Sequence, residues 1–301
     1  MPRTFPLPSP LAAAPRDPAP IAFGGGGRRL GQLRGNDFIV RRAGDFAALS
    51  HVPLGNPAGI GALADGSLVA IDAADPMRRA SLVVRVPADG RRPTLHDGLV
   101  PEIGALRVFA LPEADELACA RPAGDRLYRL RLTGGALDLV TAARLRGERC
   151  HIMTSLADGS FVYASGAREL VRAAFGVLPR RYAVSIEPRA LLPGPGPDLV
   201  WLCGDELQLI SLAEPMRPLV RRPTATDQVD VAAGGRRLAV LHRGARGATL
   251  VCYDDRTVER WRARLAGGQR WVACSAQHVA VASDSELDVF DARTGALVHS
   301  S

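Results

Sequence analysis

Along almost the whole chain a short apolar run is followed by a tight polar turn and a second apolar run, and helical spacing is nearly absent. Leu63-Ala64-Asp65-Gly66-Ser67 leads into Leu68-Val69-Ala70-Ile71-Asp72, and Leu156-Ala157-Asp158-Gly159-Ser160 leads into Phe161-Val162-Tyr163-Ala164-Ser165. These are nearly the same segment written twice. Asp-Gly between apolar runs marks a hairpin, because Gly supplies the positive φ that the turn requires. Five further copies of the unit follow the same plan. The first strand residue after each turn is Leu30, Leu68, Leu117, Phe161, Leu199, Leu238 or Val279, at intervals of 38, 49, 44, 38, 39 and 41 residues.

A third strand follows each hairpin, at Asp37–Val40, Ser81–Val86, Arg126–Leu132, Glu169–Ala173, Glu206–Leu212, Thr249–Tyr253 and Glu286–Asp291. A weaker fourth is clearest at Ala136–Thr141, Val258–Leu265 and Gly295–His299. Units of this size, each of four antiparallel strands, predict an all-β, seven-bladed β-propeller. A single blade cannot bury both its faces, so blades stack radially and the ring closes on itself. Strands buried on both faces then read as continuous apolar runs, as in Leu199-Val200-Trp201-Leu202 and Leu238-Ala239-Val240-Leu241. The expected division is a Pro/Ala-rich, extended N-terminal arm at 1–19 and one propeller domain at 20–301. The first innermost strand should begin near Ile21 and the last blade should be complete within Trp271–Ser301, so no strand exchange between the termini is needed.

The composition fits this picture. Of 301 residues, 31 are Gly and 23 Pro, a turn-rich balance, and 47 % are hydrophobic, which excludes wholesale disorder. The charge of +7 comes from arginine alone, because the chain has no lysine. Arg, Ala, Gly and Pro in such numbers reflect G/C-rich codons, and the arginines are spread along the chain instead of clustered, so nucleic-acid binding is not expected. No apolar run reaches transmembrane or signal-peptide length, which leads to the expectation of a cytoplasmic protein without membrane association. Cys119, Cys150, Cys203, Cys252 and Cys274 are odd in number and follow neither disulfide nor zinc spacing, so they read as unpaired, buried small residues.

No local catalytic or metal motif stands out. The six histidines form no HxH or HExxH pattern. His151, Asp230 and Trp271 begin predicted innermost strands, where a propeller can gather a channel site from distant positions. Asp254-Asp255 and Asp284-Ser285-Glu286 lack the spacing of a calcium loop and read as turns. Gly24-Gly25-Gly26-Gly27 has no following Lys or helix, so it is a hairpin turn and not a phosphate loop. No cofactor is expected.

From Leu287 to Val298 the chain, with its Asp291-Ala292-Arg293-Thr294-Gly295 turn, resembles the third strand, turn and fourth strand of WD-repeat and quinoprotein-like propellers. Cys252-Tyr253-Asp254-Asp255-Arg256-Thr257-Val258 is a degenerate copy. The Gly-His and Trp-Asp signatures of WD repeats are missing, as are the sialidase box and the docking tryptophans of quinoprotein dehydrogenases. In its size and Arg/Ala-rich composition the chain also looks like the stand-alone bacterial propellers that accompany a MoxR-type ATPase and a von Willebrand A protein. A propeller is a rigid frame with variable loops, and the lack of motifs and export signals together with the degenerate repeats points to a non-enzymatic scaffold that docks a protein partner. The alternative is a propeller hydrolase or lyase with a metal in the central channel. Loops joining successive blades share one end of the ring, and three of them read as basic: Arg144, Arg146 and Arg149; Arg221 and Arg222; Arg262, Arg264 and Arg270. The hairpin turns at the other end are richer in Asp and Glu. An acidic segment of a partner is therefore expected at the inter-blade end, contacting Arg149, Arg222 and Arg270, since a guanidinium binds a carboxylate through two hydrogen bonds.

Overall fold

A computed structural model describes residues 20–73, 80–99, 105–122, 124–147, 149–224, 228–244, 247–265 and 268–301. The arm at 1–19 lies outside the described residues. Among those described, the chain folds into seven successive four-stranded antiparallel units. Blade 1 is β1 (Ile21–Gly24), β2 (Arg29–Arg34), β3 (Asp37–Arg42) and β4 (Ala48–Pro53), and blade 2 is β5 (Pro57–Ala62), β6 (Leu68–Asp72), β7 (Ser81–Val86) and β8 (Thr94–Gly98). Blade 3 is β9 (Arg107–Ala110), β10 (Glu116–Ala120), β11 (Arg126–Thr133) and β12 (Ala136–Arg144). Blade 4 is β13 (Met153–Ser155), β14 (Phe161–Gly166), β15 (Glu169–Ala174) and β16 (Val177–Ala183), and blade 5 is β17 (Ala190–Pro193), β18 (Leu199–Cys203), β19 (Glu206–Ser211) and β20 (Val220–Pro223). Blade 6 is β21 (Gln228–Gly234), β22 (Arg237–Gly244), β23 (Gly247–Asp254) and β24 (Glu259–Leu265), and blade 7 is β25 (Trp271–Cys274), β26 (His278–Ala282), β27 (Leu287–Asp291) and β28 (Leu297–Ser300). The first strand of each blade adjoins that of the next, and β25 adjoins β1, so the ring closes. The expected second strands begin within one residue of their predicted starts.

Burial falls from the middle of each blade outward. β6 and β10 are buried at every position, whereas β16 is exposed at six of seven. Seven hydrophobic clusters fill the seams, one between each pair of adjacent blades. The closing seam sets Ile21, Leu30 and Phe46 of blade 1 against Ala280, Leu287 and Val289 of blade 7. Phe46 stacks on His299 at 4.9 Å and meets His278 edge-on at 5.6 Å. Among the described residues no strand of blade 1 enters the sheet of blade 7, and the two blades meet there through packed side chains.

The two Asp-Gly turns behave as their shared sequence predicts. Gly66 and Gly159 both adopt φ +81°, and Asp65 and Asp158 accept hydrogen bonds from the backbone N–H of Ser67 and Ser160. Asp291 closes its own turn by accepting from the N–H groups of Arg293 and Thr294. One pairing was not anticipated: β8 and β12 join in parallel, Asp97 opposite Ala136 and Gly98 opposite Leu137, which fuses blades 2 and 3 at their outer edges. A Cβ on Gly98 would lie 2.0 Å from the Leu137 carbonyl oxygen, so only glycine permits the contact.

None of the five cysteines forms a disulfide in the structure. Burial raises the pKa of Cys150, Cys203, Cys252 and Cys274, to about 12 for Cys203 and about 11 for Cys252. Alkylation of the native protein should therefore be slow, while denatured protein titrated without reductant should yield five thiols; recovery of three or fewer would contradict the assignment.

Candidate interaction surfaces of the ring

The loops between blades share their end of the ring with the turns joining second and third strands. The opposite end carries the turns joining first to second and third to fourth strands. That second end is laced by a repeated ionic device. In blade 2, Arg85 donates to Asp65 at 2.6 Å and to Ser67 Oγ at 3.3 Å, and reaches the Ala114 carbonyl of blade 3. In blade 4, Arg172 donates to Asp158 at 2.6 Å and to Ser160 Oγ at 3.0 Å, and reaches Asp198 of blade 5 at 2.7 Å. The duplicated turn is thus a tether between neighbouring blades. Burial pushes the Asp65 and Asp158 carboxyls up, but the serine and arginine hydrogen bonds outweigh it and hold both below the usual carboxylate value. Blade 3 uses a variant: Glu116, 1 % exposed, accepts from Arg129 and Arg131.

The inter-blade end departs from its sequence reading in two ways. Arg144, Arg221 and Arg222 lie in the outermost strands β12 and β20 and not in loops, and Arg262 and Arg264 lie in β24, within the fourth strand expected at Val258–Leu265. Outermost strands are solvated on one side and polar there, so they read like loops. Secondly, acids at the same end answer many of the arginines: Arg144 pairs with Asp125 at 2.9 Å, Arg189 with Asp205 at 2.7 Å and Arg270 with Asp284 at 3.6 Å.

The three expected contact residues therefore have different roles. Arg149 is mostly buried, pairs with Glu187 and donates to the Pro188 carbonyl, tying one inter-blade loop to the next. Arg222 donates to the Thr257 carbonyl at 2.7 Å and stacks over Tyr253 at 4.7 Å, which locks β20 to blade 6. Arg270 is the most exposed of the three, at 57 %. The structure does not bring them into one cluster of contacts. His151 sits in the turn two residues before β13 instead of beginning it, while Trp271 begins β25 and Asp230 lies within β21, accepting from the Val272 N–H. Among the described residues no three His, Cys, Asp or Glu side chains converge as a metal site.

What the sequence reading missed is a concentration of charge on blade 3. Arg121, Arg126, Arg144 and Arg146 are all exposed at its inter-blade end, against Asp125. Arg126 and Arg144 are register partners, directly opposite each other in the β11–β12 ladder. Like charges placed so are unfavourable. Arg107, at the start of β9, donates to the His151 carbonyl at 2.6 Å beside them. The signal in the sequence was the density of Arg between 121 and 149, which the blade-by-blade count diluted.

Four histidines are shifted in the same direction. Burial, with nearby Arg85 for His96 and Arg107 and Arg149 for His151, lowers those two. Burial also lowers His278, against the pull of Asp291, and His299, where Arg41 adds to it and Asp288 opposes it. A histidine with a folded pKa below its unfolded value favours folding while neutral, and that contribution is lost as pH falls below about 6.5. The urea midpoint should drop between pH 7.5 and 5.5, before the carboxylates titrate. A His278→Gln/His299→Gln variant should show a smaller drop, and an equal one would contradict the assignment.

No protein-family model matches the chain, and no curated protein matches it. Solved structures do. Sqt1 of Saccharomyces cerevisiae aligns with a TM-score of 0.61 at 13 % identity, over 94 % of this chain and 85 % of that one. A chain of the mitotic checkpoint complex aligns at 0.64 and 11 % identity, over 97 % and 98 %. Hsv2 of Kluyvelomyces marxianus aligns at 0.63 and 11 % identity, over 95 % and 99 %. At such identities the likeness concerns the fold, and the chain has the fold of a WD40-type β-propeller.

Proposed function

We propose that the protein is a non-enzymatic interaction scaffold that docks an acidic segment of a protein partner on the inter-blade end of the ring, centred on blade 3. The observation that carries this is the set Arg121, Arg126, Arg144 and Arg146, with Arg126 facing Arg144 across the ladder. A partner carboxylate between them would relieve the repulsion. The Arg144–Asp125 pair is exposed, 78 % and 52 %, and exposed pairs contribute only about 0–1 kcal/mol, so a competing carboxylate can exchange in. Arg270 supplies a second exposed guanidinium farther round the ring, while Arg149 and Arg222 hold the frame rigid beneath. That a mitotic checkpoint complex contains a chain of this fold supports a protein partner.

The narrower setting is a bacterial cytoplasmic system with a MoxR-type ATPase and a von Willebrand A protein. Its support is the chain's size and Arg/Ala-rich composition. Co-purification of that ATPase tests it, and cell fractionation tests the compartment.

The docking reading is tested by charge reversal. Arg126→Glu, Arg144→Glu and Arg146→Glu together should abolish retention of the partner, and raising the salt should weaken it in the native protein. Reversal of Arg28 and Arg237 at the opposite end should leave retention intact. Loss with the second set and survival with the first would overturn the assignment of faces.

A further inference from the structure

A strand at the rim of a sheet presents unpaired N–H and C=O groups, a template on which another strand can form. Most outermost strands of the ring carry residues that discourage this. β16 holds Pro179, Arg180 and Arg181, β20 holds Arg221, Arg222 and Pro223, and β24 alternates Arg260, Arg262 and Arg264. β4 ends in Pro53, and β28 is four residues long. β12 is different. It runs for nine residues, and its stretch Leu139-Val140-Thr141-Ala142-Ala143 has neither charge nor proline. Leu139 and Val140 are 46 % and 40 % exposed.

The edge of β12 already accepts one strand. β8 pairs with it in parallel at Ala136 and Leu137. Among the described residues that pairing goes no farther, so residues 138–144 have β11 on one side and no strand on the other. The ladder with β11 contains a bulge: Leu130 lies opposite Leu139 and Arg129 opposite Thr141, which leaves Val140 as the extra residue. A bulge re-aims side chains, and here it leaves two neighbouring apolar ones half exposed. Beyond it, residues 141–144 are in regular register with β11. The open run ends at Arg144, which faces Arg126, and Arg146 is exposed just past it. Its other end carries the exposed Asp138. The edge is therefore apolar in the middle, basic at one end and acidic at the other.

We propose that the partner's acidic segment binds as an added strand on β12. It pairs with the backbone at 141–144, lays apolar side chains over Leu139 and Val140, and sets its carboxylates beside Arg126 and Arg144. Main-chain hydrogen bonds then supply affinity, and the charges at the two ends of the edge fix the direction, since carboxylates at the Asp138 end are repelled. Antiparallel pairing is the more stable per residue, which places the acidic residues first in the partner's segment. This rests on the docking reading above and adds the conformation that the partner takes.

The probe is a fluorescent peptide of about eight residues, acidic at its start and alternating Val and Thr after it, titrated into the full-length chain by anisotropy. Its versions share every side chain: one is unmodified, and the others are N-methylated at one or the other alternate set of backbone nitrogens. In an added strand alternate N–H groups face the host and the solvent. One methylated version should therefore bind at least about tenfold more weakly, and the other within about twofold of the unmodified peptide. Val140→Lys should weaken binding at least about threefold although it adds positive charge, because a lysine on an edge obstructs pairing. Coincident thermal melts show that this variant keeps the fold. Equal binding by all versions, lost in the Arg126→Glu, Arg144→Glu and Arg146→Glu chain, would overturn strand addition and leave docking through side chains alone. That outcome spares the docking reading, which partner retention tests separately. No binding of the unmodified peptide, or tighter binding by the Val140→Lys chain, would also overturn the proposal. So would a dimer of the native chain that Val140→Lys dissolves, because a second copy would then occupy the edge.

Discussion

Replacing Phe161 by Ala should cost the protein about 3–5 kcal/mol of stability, the usual range for emptying a buried phenylalanine site. Phe161 is 0 % exposed and begins β14, the strand that follows the Asp158-Gly159 turn. It meets Phe109 of blade 3 at 5.7 Å and Phe175 of its own blade at 5.9 Å, both edge-on. Its removal opens the seam between blades 3 and 4 from the middle, where neighbouring blades cannot collapse without moving the ring. Leu178, 88 % exposed at the start of β16, is the control: its change to Ala should fall within about 0.5 kcal/mol. Chemical denaturation of both variants decides the matter, and comparable losses would show that the seam is not where the stability resides.

Arg129→Ala should cost about 2–4 kcal/mol at neutral pH, because it strips a donor from a carboxylate that water cannot reach. Arg129 donates to Glu116, pairs with Glu113 at 3.2 Å and lies 5.9 Å from the Phe175 ring centre across the seam. Burial pushes the Glu116 carboxyl up, but the two arginines outweigh it and hold it below its ordinary value. A depressed carboxylate pKa stabilises the fold above the unfolded value, about 4.3, and that contribution fades as pH falls through the folded one. The gap between native and variant should therefore narrow below about pH 4. A gap independent of pH would mean that lost packing, not charge, accounts for the cost. Because Phe161 and Arg129 both touch Phe175, the double variant should deviate from additivity by more than about 0.5 kcal/mol.

The ring was legible in the sequence for a physical reason. Blades buried on both faces turn their second strands into continuous apolar runs, such as Leu68–Asp72 and Leu199–Cys203, and the Asp-Gly and Thr-Gly turns that separate them need particular residues. The outermost strands were harder to read. β12 reads as a strand as far as Thr141, but its exposed continuation to Arg144 has the polar look of a loop, which puts Arg144 there on sequence alone. Charge at the ends was misjudged because antiparallel topology brings the acids of the second-to-third-strand turns, Asp125, Asp205 and Asp284, to the same end as the inter-blade arginines. Nothing local in the sequence shows that encounter. The β8–β12 pairing was hidden by Gly98, which reads as a turn residue but serves a close approach.

Closure is what every surface described above depends on, and among the described residues it is made by packed side chains at the seam between blades 1 and 7. The most direct measurement uses the full-length chain with Phe46→Cys and His299→Cys, two positions whose native rings stack at 4.9 Å although 253 residues separate them. A short bifunctional thiol reagent should join them rapidly within one molecule, ahead of the buried native thiols, with the 46–299 linked peptide recovered by mass spectrometry. Absence of that peptide, or its recovery only between two molecules, would contradict a ring closed by blade 1 against blade 7.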